Sequence, residues 1–210
     1  AASYLVPIGG AGSYTVQVSH TDGQGYSTLL TSAGTVVASP PPPLDTTAPT
    51  LTSIAVQGTA VILTFSEAVT ASSVLATAFS VQTVSSKNTA TNRIINNVGL
   101  DQNSSNKVIL TLLGTAPASN VNLRVSYTDP TGNQTYGVVQ DLSGNDLASF
   151  SNRFADTFIT ASTTTLASQY QNLILTLTSN VNGTGNGLNN SITGNGANNT
   201  LSGLTGADSM

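Results

Sequence analysis

Apolar residues in the middle of this chain recur at every second position, in runs too short for a helix. Val61, Leu63 and Phe65 alternate with polar or smaller neighbours; so do Phe79 with Val81, then Val108, Leu110 and Leu112, then Val121, Leu123, Val125 and Tyr127. Side chains on a strand point alternately to opposite faces, so each set turns one apolar face toward a core. Gly, Asn, Asp and Pro separate the runs, and no stretch carries a helical period. The expected fold class is all-β.

Between Thr47 and about Thr160 there is room for about seven such strands, the sequence form of a Greek-key immunoglobulin-like sandwich. The Cys and Trp that mark antibody domains are absent. Composition narrows the function. Only 7% of the 210 residues are charged, Ser and Thr exceed a quarter, and 39% hydrophobic content is enough to bury a core. The five basic residues, Lys87, Arg93, Lys107, Arg124 and Arg153, are scattered. Nucleic acid needs a basic stripe and is not an expected partner. No run approaches the 18 or so apolar residues of a spanning helix, so membrane insertion is not expected either. Without Cys, folding is independent of redox compartment and thiolate metal sites are excluded.

Three segments separate on composition, and with the stretches that join them the chain divides into five. Residues 1–39 alternate in β fashion, with Tyr14, Val16 and Val18 on one parity, a turn at Asp22-Gly23-Gln24-Gly25, and further apolar residues at Leu29, Leu30 and Val37. They read as a strand-rich stub, the end of a preceding sandwich. Residues 40–46 are a linker stiffened by the run Pro40 to Pro43, which adopts polyproline geometry and cannot join a ladder. The sandwich follows at 47–160, a connecting strand region at 161–181, and a Gly- and Asn-rich stretch at 182–210. That last stretch repeats with period nine: Ile192, Leu201 and Met210; Gly185, Gly194 and Gly203; Asn190, Asn199 and Asp208.

Four ordered landmarks carry a family resemblance. They are Asp45-Thr46-Thr47-Ala48-Pro49-Thr50, Leu63-Thr64-Phe65-Ser66-Glu67-Ala68-Val69, Val125-Ser126-Tyr127-Thr128-Asp129-Pro130, and Gln140-Asp141-Leu142-Ser143-Gly144-Asn145-Asp146-Leu147-Ala148. Their order resembles bacterial Ig-like repeats of large surface proteins, the SwmB-type repeat of cyanobacterial cell-surface and swimming-associated proteins above all. The nonapeptide frame resembles the start of a calcium-binding RTX β-roll, with Asn in the acidic place of the first two turns and Asp208 in the third. The resemblance implies an extracellular or cell-surface location, export by type I secretion, and folding on meeting calcium.

Catalysis lacks its parts. The single His20 sits at a strand border beside a Thr-Asp-Gly turn, Glu67 is the only Glu, and no zincin, hydrolase or phosphate-loop motif occurs. No catalytic or organic-cofactor residues are therefore assigned. Calcium is the expected cofactor, because a hard cation takes six to eight oxygens from carboxylates, amides and turn carbonyls. The candidate ligands are Asp129, Asp141, Asn145 and Asp146 at one pole of the sandwich, and Asn190, Asn199 and Asp208 in the β-roll. For Asp141 and Asn145 an Asx turn before the last strand is the favoured reading, with ion binding the other. Glu67 lies on the core parity of its strand and needs either a strand end or a partner.

The expected function is a non-enzymatic, calcium-stabilised cell-surface stalk or filament component with a role in adhesion or motility. Alternatives are a carbohydrate- or ice-binding adhesin module and a non-catalytic domain of a secreted RTX enzyme. Expected partners are further copies of the chain or neighbouring domains of one polypeptide, with a surface glycan as a further candidate.

Overall fold

A computed structural model describes residues 44–71, 76–130 and 137–210, together with Gln24, Gly25 and the backbone of 12–21 and 27–36. Two compact units divide the chain, 1–44 and 45–210. In the first, β1 (Gly12–Thr21) and β2 (Ser27–Val36) form an antiparallel hairpin in which Val18 faces Leu30 and Thr21 faces Ser27. The positive φ of Gly25, 85°, lies in the connecting turn. Asp22, Gly23 and the run Pro40 to Pro43 lie outside the described residues, as do the side chains of His20 and of the apolar positions in both strands.

The second unit is all-β, with no α-helix among its described residues. Its strands are β3 (Leu51–Gln57), β4 (Ala60–Phe65), β5 (Val69–Thr70), β6 (Phe79–Val84), β7 (Ala90–Arg93), β8 (Ile95–Asp101), β9 (Ser104–Leu112), β10 (Asn122–Tyr127), β11 (Gln140–Asp141), β12 (Phe150–Phe154), β13 (Thr157–Thr160), β14 (Thr164–Thr165), β15 (Asn172–Leu175), β16 (Gly183–Thr184), β17 (Ser191–Thr193) and β18 (Leu201–Ser202). One layer has the order β12-β10-β6-β7, and the other runs β8-β9-β4-β3 and then continues through β13, β15 and β17. The alternating residues meet between the layers. Val61, Leu63, Phe65, Val108, Leu110 and Leu112 come from one face, and Phe79, Val81, Leu123, Val125 and Tyr127 from the other; all are buried. Each contributes about 1.5–3 kcal/mol on leaving water. Val121, the remaining residue of that parity, precedes β10 and is only half-buried.

At Asp156 the sandwich turns into a coil. The main-chain N–H of Asp156 donates to the carbonyl of Ile54, and its own carbonyl accepts from Gln171 and Asn172. β13 then lies parallel to β3 on one side and to β15 on the other. Beyond it every pairing is parallel: Leu173 with Ile192 on one face, Thr164 with Gly183 and Gly183 with Leu201 on the other. The first turn, from β13 to β15, takes 15 residues, and the later ones 18 or 19, two halves of about nine. The coil begins at β13 and β14, well before the composition changes at Asn182, because its first turns pack on the sandwich and draw on ordinary apolar residues. Phe158, Leu166, Tyr170, Leu173, Leu175, Val181 and Ile192 fill its interior and join the sandwich core.

Candidate metal centre and coil corners

β4 ends at Phe65, so the chain leaves the sheet before Glu67 and the carboxylate escapes the core that its parity would give it. Two residues later β5 pairs with β11, Val69 opposite Asp141. This pairing carries Asp141 to the same place. Asp45, at the start of the unit, completes a group whose carboxylate oxygens from Asp45, Glu67 and Asp141 lie within 4.8 Å of one another. Asp45 is exposed, Glu67 half-buried and Asp141 buried.

The three acids are held differently. Oδ1 of Asp141 accepts from the N–H of Ser143 and of Asn145, both at 2.8 Å, and Oδ2 accepts from the Asn145 amide at 2.7 Å. Gly144 supplies the turn with φ 88°, a left-handed conformation that side chains disfavour. Burial opposes ionisation of Asp141, but donation from Asn145, Ser143 and Gly144 holds its carboxyl below the ordinary value. Glu67 is shifted the other way: burial raises its pKa, and the charges of Asp45 and then Asp141 raise it further. A divalent cation among them would reverse that repulsion.

The structure does not gather the expected pole residues into one cluster. Asn145 turns its nitrogen toward Asp141 and donates also to the Asp45 carbonyl at 3.1 Å, so it positions the acids. Asp129 has Asp146, not Asp141, as its charged neighbour; burial and that neighbour raise its pKa. Its main-chain N–H donates to Ser149 at 2.8 Å, while its Oδ1 is buried without a hydrogen-bond partner among the described residues. Asp45 and Glu67 are the participants that sequence reasoning missed. The available signal was Glu67 itself, the single Glu, placed on core parity just where its strand stops.

In the coil, Asn190 and Asn199 sit at corners and are buried and half-buried. Oδ1 of each accepts from the N–H four residues earlier, of Asn186 at 2.7 Å and Asn195 at 3.0 Å. Their amide nitrogens face carbonyls of the turn beneath. Asp208 occupies the equivalent third place, and its Oδ1 accepts from the N–H of Asn190 at 2.9 Å. The repeating glycines follow from this: a Cβ on Gly194 would stand 2.6 Å from Oδ1 of Asn199, and one on Gly203 would strike the Asp208 carboxylate.

A cavity of about 380 Å³ opens between the sandwich and the coil, lined by Pro117, Phe158, Ile159, Thr160, Thr176 and Leu177 among others. Among the described residues, no acid or base lines it.

Residues 44–132, β3 through β10, match the SWM repeat, a family described as a "Putative flagellar system-associated repeat". No curated protein matches the chain. Among solved structures it is similar to the N-terminal part of the bacterial S-layer protein SbsC, at 18% identity over 50% of this chain and 22% of that one, with TM-score 0.38. It is also similar to domains 1–6 of the surface layer protein SbsC, at 18% identity over 51% of this chain and 13% of that one, with TM-score 0.40. The chain thus spans less than a quarter of the length of either.

Proposed function

We propose that this chain is a structural, non-catalytic segment of a bacterial cell-surface protein, and that calcium at Asp45, Glu67 and Asp141 stiffens the pole where the chain enters the sandwich. The observation that supports the location and role is the SWM-repeat match over residues 44–132. The calcium reading rests on the three converging carboxylates and the raised pKa of Glu67. A cation there would tie the linker residue Asp45 to the segment between β4 and β5 and to β11. The joint would then be rigid where calcium is abundant, outside a cell. Adhesion or motility is the biology such a stalk serves, with export by type I secretion.

Two measurements test this. Calcium titration of the parent and of Glu67→Gln by calorimetry should give one more saturable site for the parent than for the variant; equal isotherms, or no heat from either, would remove the metal at this pole from the reading. Antibody labelling of intact producing cells should stain the surface in a protease-sensitive way, and staining only after permeabilisation would overturn the location.

A further inference from the structure

The corners of the coil repeat one arrangement of asparagines. Asn186 donates its amide to the carbonyls of Ala167 and Tyr170 at 2.6 and 2.7 Å, and its Oδ1 accepts from Leu188 N–H at 2.9 Å. Nine residues on, Asn195 donates to Thr176 and Ser179 at 3.1 and 2.9 Å and accepts from Ala197 N–H at 3.0 Å. Each is locked by the asparagine four residues later. Asn190 Nδ2 donates to Asn186 Oδ1 at 3.2 Å and reaches the Tyr170 and Gln171 carbonyls at 3.3 Å. Asn199 Nδ2 donates to Asn195 Oδ1 at 3.0 Å and to the Val181 carbonyl at 2.7 Å. Main-chain carbonyls only accept and main-chain N–H groups only donate, so these partners fix which way every amide faces.

Each corner therefore collects carbonyl oxygens from the preceding turn around the hydrogens of two side-chain amides. Converging carbonyls are also how a protein holds a hard cation. An NH₂ group brings partial positive charge to such a place and satisfies buried acceptors that would otherwise be costly. An ionised acid there would put negative charge against the same oxygens, and a cation, or a proton on the acid, would be needed to reconcile them.

We propose that the Asn186–Asn190 and Asn195–Asn199 pairs are amide clamps standing where a calcium ion would, so that these two corners close without metal. The third corner is built differently: Leu204 replaces the first amide and Asp208 the second. Metal dependence within the described coil is thereby confined to the turn that ends in Asp208. This is independent of calcium at Asp45, Glu67 and Asp141.

The test is local hydrogen exchange on the full chain in the Glu67→Gln background, in calcium chloride and in chelator, so that binding at the sandwich pole does not enter. The amides of Leu188 and Ala197 should be equally protected in both. Protection lost in chelator would overturn the proposal. Asn199→Asp should lower protection of Ala197 in chelator by about tenfold, the scale of one hydrogen bond, and calcium should restore it. If Ala197 stays fully protected in chelator, or calcium fails to restore it, the amide is not in a cation's place. Should Asn199→Asp not fold, Asn195→Asp is read in the same way.

Discussion

A Cβ on Gly185 would overlap Oδ1 of Asn190 and stand 2.9 Å from the carbonyl oxygen of Gly203. The glycine and the asparagine are thus one device: the side chain folds back over backbone that must be bare. Gly185→Ala is expected to destabilise the protein by about 2 kcal/mol or more, since neither the backbone nor the clamped amide can move away. Gly196→Ala, where a Cβ meets nothing within 4 Å, should stay within about 0.5 kcal/mol of the parent. Urea unfolding of the two variants side by side checks this, and equal losses would mean the contact carries no weight.

Asp141 accepts three hydrogen bonds from one turn, and Asp141→Ala leaves the Ser143 and Asn145 N–H groups without that acceptor. A loss of about 1–3 kcal/mol is expected in chelator, with a further loss of any stabilisation by calcium. Denaturation of parent and variant with and without calcium separates the two parts. A variant that retains the parent's calcium response would leave the turn as the whole role of Asp141.

Two buried tyrosines give opposite expectations. The Tyr127 hydroxyl accepts from Val139 N–H at 3.1 Å, so Tyr127→Phe should cost about 1–2 kcal/mol by orphaning a buried donor. Tyr170 packs edge-on against Phe158, and its hydroxyl is buried without a hydrogen-bond partner among the described residues. Tyr170→Phe should therefore be neutral or stabilising. Thermal melts rank the pair, and a larger loss for Tyr170→Phe would refute the ranking.

Stability in chelator should pass through a maximum in weak acid. Glu67 and Asp129 have folded pKa values above their ordinary 4.5 and 3.8, so protonating them as pH falls from neutrality favours the fold. Asp141 lies below its ordinary 3.8; its contribution is present above that value and is lost as pH falls through the lowered one. Urea midpoints across a pH series should rise and then fall, and Glu67→Gln should flatten the rise. A steady decline from neutrality would contradict this assignment of the raised groups.

The alternation of Val61, Leu63 and Phe65, and of Val108, Leu110 and Leu112, was sufficient by itself to specify the all-β class and the buried faces, because strand period and core parity are local properties. The period of nine likewise marks the half-turn of the coil, since each half must return an apolar residue such as Ile192 inward. The sequence could not tell an asparagine that ligates an ion from one that clamps carbonyls, because both uses need the same amide at the same spacing. The proposed clamp rests on the carbonyls of Tyr170, Gln171 and Val181, brought from 18 to 20 residues away by the parallel stacking of turns. The acidic cluster was equally hidden. Asp45, Glu67 and Asp141 are far apart in the chain, and only the pairing of β5 with β11, at the point where β4 stops short, sets their like charges together.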